Sequence, residues 1–268
     1  MSNLVSRVLT AVVAIPLLAA LVLWSHRLGF GLLVMACAGL GLAEYTAMLL
    51  PRIGRGPRAA TIAVGIALNA ALYFRPEAAV AWFLAALIAG ATIVLLSPGE
   101  TSGAGAHAGI VVLGLFYLGG LTAPLALLHR QLPDGPLWVL TALGATFAND
   151  TGAYFSGRAF GRHKLYPEIS PGKTVEGAVG GLFFCVGAIL LIRATIFDSL
   201  SLNDVLWIAL PASVLGPIGD LFESMLKRSA GVKDSSHLIP GHGGILDRLD
   251  ALLFVGAWVY AYAVFWRG

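Results

Sequence analysis

Between Ser224 and Asp250 an otherwise apolar chain turns polar. Ser224-Met-Leu-Lys-Arg228, Lys233-Asp234, Pro240-Gly-His-Gly-Gly244 and Asp247-Arg-Leu-Asp250 bring carboxylates, an ammonium, guanidinium groups and a glycine turn into 27 positions. Ionisable groups at or near a bilayer are costly to keep, so such an island marks a functional site. Its residue types suit an anion: cations and successive glycine N–H groups attract negative charge, and aspartates hold a hard cation beside it.

Asp220, Ser224, Lys227 and Arg228 stand at i, i+4, i+7 and i+8, which predicts one helical stripe carrying a carboxylate and two cations. A plain chain of surface salt bridges is an equally good account of any one pair. The turn Gly241-His242-Gly243-Gly244 can bend sharply and approach a ligand closely, because glycine accepts positive φ. His242 is read either as part of that site or as a turn residue bonded to backbone. Asp247 and Asp250, at i and i+3, can face one point; Mg2+ is commonly held by one or two carboxylates plus phosphate and water.

A second polar group precedes the island. Asn149, Asp150, Tyr154 and Arg158 lead into Ser170-Pro-Gly-Lys-Thr174 and Glu176. Gly172-Lys173-Thr174 looks like the end of a P-loop, but Pro167 stands where its first glycine belongs and no strand is expected before it. Lys173 and Thr174 just ahead of a helix still make a reasonable anion contact. The chain has four lysines against thirteen arginines, and Lys164, Lys173, Lys227 and Lys233 all fall in these two loops. A compact ammonium is thus used where the chemistry is expected, and guanidinium elsewhere.

Apolar spans must position these groups. Of 268 residues 58% are hydrophobic and 12% charged, with mean hydropathy +0.84, far from a soluble domain. Windows of about 20 apolar residues fall near 8–24, 28–50, 60–75, 78–96, 108–129, 136–157, 175–197, 204–226 and 250–266. They predict an all-α, polytopic bundle of about nine spans. The window at 60–75 contains Asn69 and is short enough to be re-entrant or tilted. The first window follows Arg7 but lacks a small-residue cleavage site, so it is read as a retained anchor. Residues 1–130 are expected to supply packing, dimer or lipid-cavity helices, and residues 131–268 the catalytic region. Ser97 to Gly109 is read as a flexible connection, and Gly177 and Gly181 as helix-packing contacts.

With the N-terminus inside, twelve of seventeen basic residues lie on one side; Arg27, Arg75, Arg130, Arg193 and Arg267 lie on the other. That asymmetry puts the N-terminus and the polar island in the cytoplasm. It also accounts for the net charge of +3 without nucleic acid, for which no motif exists. Cys37 and Cys185 sit in apolar windows without metal or redox spacing. Glu44 is expected either to pair with Arg52 or Arg55 or to line a substrate cavity.

The run from Ser224 to Asp250 closely resembles the signature of the phosphatidate cytidylyltransferases, or CDP-diacylglycerol synthases, matching without a break at its charged positions. Asn149-Asp150 and Ser170 to Gly177 resemble the same family, and the first 130 residues do so in hydropathy alone. The resemblance implies a dimeric integral enzyme of the bacterial cytoplasmic (inner) membrane. It would join CTP and phosphatidic acid, drawn from membrane lipid, into CDP-diacylglycerol and pyrophosphate, using Mg2+ and admitting a monovalent cation such as K+. It implies Mg2+ at Asp220, Asp247 and Asp250, and charge stabilisation by Lys227, Arg228, Lys233 and Arg248. Asp234, Asn149 and Asp150 would hold a second ion, orient lysines or contact nucleotide. Lys173, Thr174, Ser224 and the glycine turn 241–244 would complete the substrate contacts. A lipid kinase would need a general base that does not stand out here. A transporter would spread its charges at midplane, and the Asp-Gly-x2-Ala-Arg run of CDP-alcohol phosphotransferases is missing.

Overall fold

In hydrocarbon every backbone N–H and C=O must be satisfied within the chain, so apolar runs rich in Ala, Leu and Val form helices. The computed structural model describes residues 16–23, 26–97, 102–239 and 243–267. Helix α1 covers 16–23, α2 Arg27–Leu49, α3 Arg55–Phe74 and α4 Ala79–Leu95, entered through a 3-10 turn at Pro76–Ala78. Then come α5 (Ala104–Gly114), a π-helical stretch (Leu115–Gly120), α6 (Ala123–Gln131), α7 (Gly135–Phe160), α8 (Val175–Thr195), α9 (Leu202–Ser229) and α10 (Leu246–Ala261). The chain is all-α and polytopic. Among the described residues seven helices are long and apolar enough to cross a membrane. This falls short of nine: α7 is 26 residues long but is made more polar by Asn149, Asp150 and Arg158, and most of the first window, with Arg7, lies outside the described residues.

The window at 60–75 is neither re-entrant nor short. It forms the 20-residue α3, in which the buried Asn69 side chain donates to Gly119 O at 3.1 Å and Thr122 Oγ1 at 2.6 Å. Gly119 belongs to the π-helical stretch and Thr122 is the N-cap of α6, and Gly119 lets the backbones nearly touch: a Cβ there would stand 2.9 Å from Gly65 O. Part of the presumed connection 97–109 is already helix, since α5 starts at Ala104.

Two prolines lie inside α9, Pro211 and Pro217. Pro211 leaves the Trp207 carbonyl without its helical donor, and the Trp258 indole of α10 donates to it at 2.8 Å. A sequence feature that would weaken an isolated helix thus becomes a tie between the two helices that carry the polar island. Helices α7 and α8 pack through glycines, with Gly177 facing Ala153 O and Gly157, and Gly181 facing Asn149. The loop joining them is an antiparallel hairpin of β1 (Lys164–Tyr166) and β2 (Ser170–Thr174). The Ser170–Thr174 segment is therefore a strand and not the open loop expected, and its pairing holds Lys173 in place.

Candidate active site

Helices α7, α9 and α10 and strand β2 bring the two polar groups together. Lys173 Nζ reaches from the hairpin to Asp220 Oδ2 at 2.6 Å, and Ser224 donates to Asp220 Oδ1 at 3.3 Å one turn along α9. Lys227 stands between two carboxylates, 2.5 Å from Glu223 Oε2 and 2.6 Å from Asp247 Oδ1. Asp150 lies within electrostatic reach of Lys173, Arg248 and Asp220, and Asp250 within reach of Asp220, Asp150 and Lys227. Carboxylates and cations so alternate around one point. Such a layout holds phosphate oxygens and their counterions, whereas carboxylates alone would repel them.

Asp247 has a different task from Asp250. Its Oδ2 accepts from Ser235 N at 3.0 Å, Ser235 Oγ at 2.8 Å and Gly244 N at 2.8 Å, while Oδ1 takes Lys227. Gly243 turns at φ +77°, and a Cβ there would press against that same carboxylate. Both aspartates stand within electrostatic reach of Lys227 and Glu223, but their hydrogen bonds differ. Asp247 ties down the loop, and Asp250, whose Oδ1 accepts only from Ala251 N, faces the other carboxylates.

Glu44 neither pairs with Arg52 or Arg55 nor stands free in a cavity. From α2 it accepts Ser236 Oγ at 2.6 Å and Ile245 N at 3.0 Å on Oε1, and Leu246 N at 2.9 Å on Oε2, where Ser235 Oγ at 3.1 Å shares its single proton between Glu44 and Asp247. Ile245 stands at the N-cap of α10 and has no side-chain oxygen to cap it. A carboxylate 201 residues earlier in the chain does so, where the helix dipole favours negative charge.

Other expected site residues fall elsewhere. Arg228 leaves the stripe, donating to Val232 O at 3.2 Å on an exposed surface. Thr174 is buried as the N-cap of α8, its hydroxyl accepting from Gly177 N at 3.1 Å. Lys233 and Asp234 are exposed and form no ion pair among the described residues. Gly241 and His242 lie outside the described residues. Glu223, Ser235 and Ser236 were missed; Glu223 had a signal in its i, i+4 spacing to Lys227.

A cavity of about 550 Å3 opens beside this cluster, lined by Asp150, Thr151, Arg248 and Ile239 at one end and by Phe30, Val34, Leu125, Val139 and Leu143 along its length. It is amphipathic, apolar throughout except where it meets the charges. Cys37 also lines it, and Cys185 is buried; both thiols are free.

Among the described residues no three His, Cys, Asp or Glu groups are placed to hold a metal ion by themselves. Of the buried side-chain atoms without hydrogen-bond partners, Tyr117 Oη and both Glu223 oxygens lie within electrostatic reach of Asp250, Glu223 Oε2 contacting Lys227 without hydrogen-bond geometry, while Asn149 Oδ1, also without a partner, faces Gly181 of α8. Unsatisfied buried oxygens beside Asp220 and Asp250 fit a hard cation that keeps water and substrate oxygens in its shell.

A sequence model of the cytidylyltransferase family matches residues 5–266. The chain is 36% identical over 266 residues to the phosphatidate cytidylyltransferase of Brucella suis, covering 98% of this chain and 94% of that protein. It is 37% identical to the Pseudomonas aeruginosa phosphatidate cytidylyltransferase across 92% of each chain. The match to the Bacillus subtilis phosphatidate cytidylyltransferase, 41% identical, spans 57% of this chain and 56% of the relative.

Proposed function

The chain belongs to the cytidylyltransferase family, and from that premise we propose that it transfers the cytidylyl group of CTP to phosphatidic acid, releasing CDP-diacylglycerol and pyrophosphate. The observation that carries the reading is the cavity whose apolar length ends at Asp150 and Arg248, next to the Lys173, Asp220 and Lys227 cluster. Such a space suits a substrate with an apolar tail and a strongly charged head, which phosphatidic acid has.

Arg248 holds the phosphate monoester at the mouth of the cavity. A monoester oxygen is already an anionic nucleophile; it attacks the α-phosphorus of CTP, a new P–O bond forms, and the bond to the bridging oxygen of pyrophosphate breaks. No general base is needed, so rate comes from alignment and charge neutralisation. Lys173 and Lys227 neutralise the charge that grows on the transferring and leaving phosphates. Asp220 and Asp250, with Glu223 beside them, would hold Mg2+, which when bound neutralises phosphate charge and fixes its geometry. The charged loops face the cytoplasm of a bacterial inner membrane, where CTP is available, as the basic-residue asymmetry supports.

The test is label transfer from radiolabelled CTP into the lipid phase by purified protein in detergent, with phosphatidic acid and Mg2+, and pyrophosphate measured in parallel. Mg2+-dependent labelled lipid supports the reading; γ-label passing to a lipid alcohol instead overturns it in favour of a kinase. Asp250→Asn is expected to lower kcat by about a hundredfold or more and to raise the Mg2+ concentration for half-maximal rate. A rate loss with an unchanged Mg2+ dependence would remove Asp250 from the ion.

A further inference from the structure

Helix α2 touches the active site through Glu44, and its other end begins at Arg27, 17 residues earlier. At 1.5 Å per residue that is about 25 Å along the axis, close to the hydrocarbon thickness of a bilayer. A second cavity of about 550 Å3 opens at that far end, lined by His26, Arg27, Tyr73, Phe74, Arg130 and Gln131 among others.

Five arginines belong to this end of the bundle, and three have their needs met within the protein. Arg75 pairs with Glu77, Arg267 pairs with Asp204, and Arg193 donates to Leu200 O. The two that line the cavity differ. Arg130 donates to the Tyr73 carbonyl and lies 4.9 Å from the centre of the Tyr73 ring, so it is oriented while its charge meets no carboxylate. Arg27 forms no side-chain hydrogen bond or ion pair among the described residues; only its carbonyl is used, accepting Tyr73 Oη at 2.8 Å. Glu77, the one acid of the lining, is taken by Arg75.

The neutral groups also present donors. Gln131 accepts Tyr260 Oη on its side-chain oxygen at 2.8 Å, which turns its NH2 group away from that bond. His26 accepts Leu28 N on Nδ1 at 3.4 Å, which leaves Nε2 as a donor. Two unneutralised guanidiniums and two neutral donors facing a space walled by Leu28, Phe74 and Pro76 suit a phosphate group carried on an apolar body.

We propose that this cavity is a phosphate-binding site at the membrane face opposite the active site, taking the phosphodiester headgroup of an anionic lipid. Free inorganic phosphate shares the recognised chemistry, and the test separates the two sources. Full-length protein in detergent is titrated with phosphatidylglycerol, with phosphatidylcholine and with inorganic phosphate, lipid retention being read by native mass spectrometry and phosphate by calorimetry. Arg27→Gln, which removes no contact within the protein, and Arg27→Gln with Arg130→Gln are the variants. Phosphatidylglycerol affinity is expected to fall about tenfold in the single variant and further in the double, while phosphatidylcholine is retained equally by all. Loss confined to inorganic phosphate would keep the site but reassign it to a soluble anion. Unchanged binding in both variants, or phosphatidylcholine held as tightly as phosphatidylglycerol, would overturn the site. Because the readout is binding, it stands apart from cytidylyl transfer, and both variants are expected to keep that activity.

Discussion

Replacing Lys227 with methionine is expected to lower turnover about 10²–10³-fold and to strip about 3–5 kcal/mol from the folded protein, the usual loss when one partner of a buried ion pair is removed. Lys227 has 12% of its side chain exposed and is the cation between Glu223, fully buried, and Asp247 at 5%. Without the ammonium two carboxylates face each other in a medium that screens them poorly. Thermal unfolding in detergent measures the first effect and label transfer from CTP the second. The double variant Lys227→Met with Glu223→Gln separates them: it removes one surplus charge, so much of the stability should return while activity, down about 10²–10³-fold for loss of a charge-stabilising donor, should not. Activity returning together with stability would reduce Lys227 to a structural cation. Lys227→Arg is expected to be impaired as well, because a planar guanidinium is larger than the gap between carboxylates 2.5 and 2.6 Å from Nζ.

Glu44→Gln carries the second large effect. A carboxylate can accept on both oxygens, and here four donors use them: two serine hydroxyls and two amides of the α10 N-terminus. A carboxamide turns an NH2 group toward half of these; the serine hydroxyl on that side can rotate to accept from it, but the backbone amide cannot, leaving one buried donor unsatisfied at about 1–3 kcal/mol. The segment from Ser235 to Leu246 then loses its tie to α2, and with it the register of Gly244, Asp247 and Lys227. A shift of about 1 Å in such a group can lower rate about a hundredfold. The expected result is therefore a fall in kcat with faster hydrogen exchange over residues 235–246. A raised KM with unchanged exchange would mean that Glu44 touches substrate directly and is not a positioning residue.

Much of the chemistry was legible in the chain because it is local. The i, i+4 contact of Asp220 with Ser224 follows from helical spacing, and the glycine turn ahead of Asp247 follows from residue type. The same locality did not give the direction of single side chains. Arg228 follows Lys227 directly, yet its 100° rotation around the helix points it to solvent and Val232. Asp247 and Asp250 share a nominal face, but the loop folds back over only the first. Thr174 resembled an anion ligand because an N-cap and a phosphate contact draw on the same hydroxyl chemistry.

Taken alone, the sequence determined that the chain is apolar enough to be a membrane bundle, that its charges concentrate around residues 149–176 and 220–250, and that these charges suit phosphate. These properties follow from composition and short spacing, which act through solvent transfer and helix periodicity and need no knowledge of neighbours. Tertiary structure decided which charges meet. Lys173 reaches Asp220 through a hairpin, the Asn69 amide donates to Gly119 and Thr122, and Glu44 caps a helix 201 residues away. Each is a pairing of groups distant in the chain, made strong only because burial removes competing water, and burial is a property of the packed bundle.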